Sequence, residues 1–281
     1  MTVKHQFTED EIKAFSPSEK IGLVASKDPD GRPHISLITS IQTAGPDTLT
    51  LGEFCRGLSK QYIQERPEIG FCIMTLDKRM WRGKAKWTHL KTEGPEYEVY
   101  NNQPMFRYNT YFGISTVHYL DLVEAQFDGP LPVGRIALSA VASKIAKAFK
   151  PAGRGPDALK PFGIGLFNRL DSLKFLSYVG EDGYPVIIPV IQAQAKGAGR
   201  IVFSGGPYAD EIAKIPAGTD VAVFCVALTM EDVLVRGKIS SPGFSLPVSL
   251  RSVEIDMVYN SMPPNQRIIY PDTELEAVAD F

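Results

Sequence analysis

The chain has 281 residues, of which 44% are hydrophobic and 22% charged, enough to bury one large core or two ordinary ones. Its formal net charge of −2 supplies no field to draw nucleic acid or an anionic membrane, so any anion site has to be local. The Met1-Thr2-Val3-Lys4 start carries no apolar signal run, the longest apolar stretch, Val221 to Leu228, has the length of a strand, and Cys55, Cys72 and Cys225 show no C-x-x-C spacing. A cytoplasmic, reduced protein is expected, with neither a disulfide framework nor a metal site.

Thr8-Glu9-Asp10-Glu11 fits a capping box, and Ser16-Pro17-Ser18-Glu19 fits a second with Pro at the first helical position, so short helices are predicted over residues 8–20. Ile21 to Ser26 reads as a strand, Asp28-Pro29-Asp30-Gly31 as a turn and Pro33 to Ile41 as the hairpin partner. Thr48 to Leu51 is extended and breaks into the polar loop Gly52-Glu53-Phe54-Cys55-Arg56-Gly57-Leu58-Ser59-Lys60, which opens a short helix. Such a loop brings backbone N–H groups, a hydroxyl and two cations to a helix N-terminus, the outline of a phosphate site. Ile69 to Thr75 is a buried strand, Asp77-Lys78-Arg79 a turn, and Trp81-Arg82-Gly83-Lys84 starts another strand. The aromatic and polar run Tyr97 to Phe112 reads as an irregular excursion, suited to cover a cleft and to present Arg107, Tyr108 or Tyr111. Ile114 to Val123 alternates as a closing strand.

The same order returns further on. Asp30-Gly31 with Pro33 matches Asp182-Gly183 with Pro185 at an offset of 152, Phe71-Cys72 matches Phe224-Cys225 at 153, and Arg82-Gly83-Lys84 matches Arg236-Gly237-Lys238 at 154. Two copies of one domain are expected, spanning residues 1–130 and 171–281. Residues 131–170 are expected as a helical linker, with Leu138, Val141, Ile145 and Phe149 at helical spacing, a Pro/Gly-rich stretch from Lys150 to Pro161, and a further helical turn at Gly163 to Leu170. Leu250 to Met257 closes the second copy.

The run DPDGRPHISLITS at Asp28 to Ser40, followed by LTLGEF, the Ser59-Lys60 pair opening a helix that ends at Arg66-Pro67, GFCIM and WRGKA, resembles the pyridoxamine 5'-phosphate oxidase-like, FMN-binding split β-barrel superfamily. The resemblance implies a mainly β fold with short helices: two tandem, Greek-key antiparallel split β-barrels, with FMN in a cleft between paired barrels. It places Ser36, Ile38, Thr39 and Ser40 beside the flavin ring and Ser59, Lys60 and Arg56 on the phosphate. Glu53, Phe54 and Trp81 complete the implied cofactor-binding set. The family often has Arg-Lys where this chain has Ser-Lys. The second copy departs further, since its loop Ser204-Gly205-Gly206-Pro207-Tyr208-Ala209-Asp210 has no cation and ends on an acid that repels phosphate. One FMN per chain follows, with the second copy as a partner wall.

Each residue also has a plainer reading. Lys60 could be a solvated helix-start lysine, although a cation is ill placed at the positive end of a helix. Trp81 could be core, and the recurring Arg-Gly-Lys could be structural. His5, His34, His89 and His118 have no ligand spacing and are expected to be satisfied or solvated. Gly163-Ile164-Gly165 lacks the rest of a dinucleotide fingerprint, and no P-loop, nucleophile elbow or H-E-x-x-H is present. No side chain stands out as an acid or base. The expected function is an FMN-dependent oxidoreductase acting on a small molecule with an electron donor, and a second copy of the chain, in a homodimer, is a further candidate partner. The alternatives are a flavin- or haem-binding carrier or sensor, and a deazaflavin-dependent reductase on the same fold.

Overall fold

A computed structural model describes residues 3–54, 57–103, 113–136, 157–245, 248–262 and 266–271. The first half of the chain runs β1 (Val3–Lys4), α1 (Glu9–Phe15), β2 (Lys20–Lys27), β3 (Pro33–Leu37), β4 (Gln42–Thr43), β5 (Thr48–Glu53), α2 (Leu58–Glu65), β6 (Glu68–Thr75), β7 (Arg79–Lys91), α3 (Pro95–Asn102) and β8 (Thr116–Pro130). The second runs α4 (Pro161–Asn168), β9 (Leu173–Val179), β10 (Pro185–Pro189), β11 (Gln194–Ala195), β12 (Arg200–Ser204), a 3-10 turn (Gly206–Tyr208), α5 (Ala209–Ala213), β13 (Asp220–Val226), β14 (Asp232–Ile239), β15 (Gly243–Ser245), β16 (Val248–Asn260) and β17 (Arg267–Tyr270). Residues 133–136 are helical and the rest of the expected linker helix lies outside the described residues, as does the end of the Tyr97 to Phe112 segment. The start of that segment is helical, within α3.

The two sheets have one strand order. It reads β3-β2-β6-β7-β8-β5-β4 in the first, with β1 on β8, and β10-β9-β13-β14-β16-β12-β11 in the second, with β15 and β17 on β16. This is the mainly β, antiparallel architecture of two tandem split barrels. Backbone bonds fix the correspondence between them. Ile38 N–H donates to Gly22 O and Val190 N–H to Lys174 O; Ala44 donates to Thr48 O and Lys196 to Arg200 O; Lys78 donates to Thr75 O and Met230 to Ala227 O. Every one of these pairs is displaced by 152 (190 less 38, 174 less 22).

That constant register corrects the drift read from the sequence. Trp81 faces Ile73 and Val233 faces Cys225, so Cys225 stands where Ile73 stands, not Cys72. The ladder irregularity at Lys84/Ala85 recurs at Arg236/Gly237, so Gly237 answers to Ala85 and the two Arg-Gly-Lys triplets are out of step by two. Each glycine has its own reason. A Cβ on Gly83 would lie 2.1 Å from Glu124 O, and one on Gly237 would lie 1.8 Å from Glu254 O.

Local chemistry explains the helix starts. Thr8 caps α1 in a capping box with Glu11, the Thr8 N–H donating to Glu11 Oε2 at 2.9 Å. The second expected box does not form a helix. Ser16 to Glu19 are a bend, because β2 begins at Lys20, whose Nζ donates back to Pro17 O at 2.7 Å and leaves no room for another turn. Burial pushes the Lys20 ammonium down to about 8.

Two compact units emerge: residues Met1–Gly31, Ile35–Leu131 and Val179–Ile187 form one, and Arg32–His34, Pro132–Tyr178 and Ile188–Phe281 the other. In the first, Phe7, Phe15, Ile63, Phe71, Trp81 and Leu120 belong to one buried cluster, with Phe15 edge-on to Phe7 at 5.2 Å and to Trp81 at 5.0 Å. Burying side chains of this size contributes roughly 1.5–3 kcal/mol each. Residues 179–187 are tied in by Lys27 Nζ donating to Gly183 O and Arg82 Nη1 to Ile187 O, both at 2.8 Å. In the second unit Arg32 pairs with Asp256 at 2.6 Å.

Candidate functional site

The site is built where β5 ends and α2 begins. Gly57 is the N-cap of α2, with extended backbone and no side-chain cap bond, and no acid lies in the helix's first turn. The first-turn N–H groups therefore receive no carboxylate from their own helix. Ile63 anchors the inner face of α2 in the core, which turns Ser59 and Lys60 inward as well, at 4% and 9% exposure. A hydroxyl and an ammonium buried at the positive end of a helix form an anion-binding combination. Arg56, the second expected cation, lies outside the described residues, as does Cys55.

The strand stretch expected along a ring divides in two. Ser36 and Thr39 are half-buried, whereas Ile38 and Ser40 are buried. Ser40 is engaged with its own barrel: its hydroxyl donates to Gly52 O at 2.9 Å and accepts from Gly52 N–H at 3.1 Å. Its carbonyl accepts from the Tyr100 hydroxyl at 2.6 Å, which also lies 2.9 Å from Thr50 Oγ1. Burial pushes the Tyr100 phenol well above its ordinary value. Helix α3 thus covers the end of β5, with Tyr100, Ile114, Val117 and Tyr119 in one buried cluster and Phe54 packed against it.

Glu53, the last residue of β5, is 8% exposed and meets His118 Nε2 with its Oε2 at 2.7 Å. His118 in turn receives the Trp87 indole N–H at Nδ1, 3.1 Å away. Trp81 is placed elsewhere. It is 2% exposed, packs on Phe15 and Phe127, and donates its indole N–H to Glu11 Oε1 at 2.8 Å. The structure therefore places Ser40, Glu53 and Phe54 at the end of β5, Ser59 and Lys60 in the first turn of α2, and Trp81 in the packing of α1. Sequence reading missed Tyr100, Thr50, Trp87 and His118. Their partners lie tens of residues away, and only the strand register brings them together.

Cys72 and Cys225 are free and buried, with desolvation pushing both thiols up to about 12. Among the described residues no three His, Cys, Asp or Glu side chains gather as a metal site, and no helix is long and apolar enough to cross a membrane.

No protein-family model and no curated protein matches the chain. Among solved structures, an FMN-binding protein from Syntrophomonas wolfei subsp. wolfei is 16% identical over 43% of this chain and 82% of its own, with a TM-score of 0.35. HupZ of Group A Streptococcus is 17% identical over 44% of this chain and 98% of its own, at 0.36. An F420 reductase is 14% identical over 38% and 88%, at 0.29. Each aligns with less than half of this chain. At these scores the fold rests on the strand order itself.

Proposed function

We propose that this chain is an FMN-binding flavoprotein, an oxidoreductase of the pyridoxamine 5'-phosphate oxidase-like class that acts on a small molecule. The observation that carries the reading is the burial of Ser59 and Lys60 in the first turn of a helix that has no side-chain cap and no acid in that turn. A phosphate is close to a dianion at neutral pH, and charge-assisted bonds from an ammonium, a hydroxyl and helix N–H groups each contribute roughly 1.5–3 kcal/mol. The residues present fit that group. Ser36 and Thr39, half-buried on either side of buried Ile38, offer polar contacts beside an apolar one, as the edge of a flavin ring requires.

FMN, when bound, supplies hydride exchange at its ring, so the chain itself need not provide an acid or base. Lys60 and Ser59 bind and orient the phosphate. Tyr100, by closing on Ser40 and Thr50, keeps water from the end of β5 and holds that backbone in one position. Substrate and electron donor are small molecules of unassigned identity. An absorption spectrum after loading tests the cofactor: the two visible bands of a flavin are expected, and a haem or deazaflavin spectrum would replace the reading. Bleaching of the flavin bands on addition of a reduced nicotinamide would show that the flavin accepts hydride, and return of the bands on adding an electron acceptor would show turnover.

A further inference from the structure

Trp87, His118 and Glu53 lie on β7, β8 and β5, neighbouring strands of the first sheet, and form a relay across them that is buried at His118 and Glu53 and half-buried at Trp87. The Trp87 indole nitrogen is 3.1 Å from His118 Nδ1, and His118 Nε2 is 2.7 Å from Glu53 Oε2. An indole nitrogen can only donate. Nδ1 therefore accepts, the imidazole proton resides on Nε2, and Nε2 donates it to Glu53. The opposite tautomer would set two N–H groups against each other at Nδ1 and two acceptors against each other at Nε2. The relay thus fixes both the tautomer of a fully buried histidine and the orientation of the carboxyl group beyond it.

The backbone of Glu53 is pinned as well, its carbonyl accepting from Ser115 N–H at 2.9 Å and Ser115 Oγ at 3.2 Å. The second half has a counterpart with different chemistry. Phe203 faces Arg251 as Leu51 faces His118, so Arg251 occupies the position of His118. Buried Arg251 donates to Ile212 O at 2.9 Å and Ile215 O at 2.8 Å, at the end of α5. In both halves this strand position carries a buried polar anchor. Only in the first does the anchor end on a carboxyl group, that of Glu53, the last residue of β5 and four positions before Gly57.

We propose that His118 is a positioning residue, and that the Glu53 carboxyl it orients accepts a hydroxyl of the bound ligand next to the phosphate held by Ser59 and Lys60. The proposal rests on the flavin reading above. A carboxylate repels a phosphate, so the ligand group it faces beside an anion site has to be a donor. On FMN the donors adjoining the phosphate are the hydroxyls of the polyol chain. Glu53 and Lys60 then divide the ligand between them, acceptor to hydroxyl and cation to phosphate.

The test has two readouts. Nitrogen-15 NMR of the imidazole in the unloaded wild-type protein should show a protonated Nε2 and an unprotonated Nδ1; a proton on Nδ1 overturns the proposal whether or not FMN binds. FMN affinity, followed by quenching of flavin fluorescence, should fall about tenfold in His118→Ala and stay within about threefold of wild type in His118→Gln, whose amide N–H can replace the Nε2 donor. Equal loss in both variants, or no loss in either, overturns it. Should His118→Ala fail to fold, Trp87→Phe serves instead. It removes the donor that fixes the tautomer, so a mixed tautomer with weaker FMN binding is expected, and an unchanged tautomer is the contrary result. A wild-type protein with the expected tautomer that binds no FMN sinks the flavin reading, and the hydroxyl contact with it, while leaving the relay.

Discussion

The two halves of the chain share a backbone frame and part company at the connection after the fifth strand. With the register constant on both sides of that connection, at Gly52 and Ser204 before it and at Ile69 and Val221 after it, Ser59-Lys60 of the first half becomes Glu211-Ile212 in the second. The stretch Ser36, Ile38, Thr39 and Ser40 becomes Ile188, Val190, Ile191 and Gln192. The second half keeps the internal stitch, since Gln192 Nε2 donates to Ser204 O at 2.5 Å where Ser40 donates to Gly52 O, but it has lost the cation and both half-buried hydroxyls. The proposed anion site therefore differs from its counterpart by a few side chains on a shared strand order. If that reading holds, substitutions in the frame and substitutions at Ser59 and Lys60 should have separate effects.

The largest expected effects fall on the frame. Gly83→Ala and Gly237→Ala each force a methyl group onto a backbone carbonyl, and each should cost about 3 kcal/mol or more in urea unfolding. Tolerance at either site would show that the tight crossings are not required. Next is Asp232, which stands in the second half where the first has Met80. Burial raises its carboxyl from 3.8 to about 6, so its folded form favours the proton. Its stability contribution is present below pH ~4 and lost as pH rises through about 6. Asp232→Asn, which keeps an acceptor for Ser261, should therefore gain about 2–3 kcal/mol near pH 8 and almost nothing near pH 4. A pH-independent gain would break the assignment. Smaller still, Tyr100→Phe removes a hydroxyl that serves Ser40 and Thr50 in the first half alone. A loss of about 1–2 kcal/mol is expected in the same unfolding assay.

Much of the frame could be read from residue patterns. Asp-Gly-x-Pro at both hairpins, alternation in the closing strands and the capping box at Thr8 act over a few residues, and all reappear in the structure. The correspondence between halves was only partly legible, because chance identities such as Phe-Cys and Arg-Gly-Lys mimic a drift that the ladders do not contain. Ser59 and Lys60 could be picked out because a cation at a helix start is locally anomalous. The surroundings of Glu53 could not. His118 looks like any alternating strand residue until β8 is laid between β5 and β7, and Tyr100 sits in a segment whose polarity disguised a helix with one buried face. Trp81 was ambiguous for the same reason, since a tryptophan at a strand start does not reveal which side of the sheet receives it.

Titration of the intact chain with FMN, in wild type and in Lys60→Ala, tests the central claim most directly. Saturation at one FMN per chain is expected, with affinity at least about tenfold weaker in the variant, the loss of one charge-assisted bond. Two FMN per chain, or an affinity indifferent to Lys60, would contradict the account.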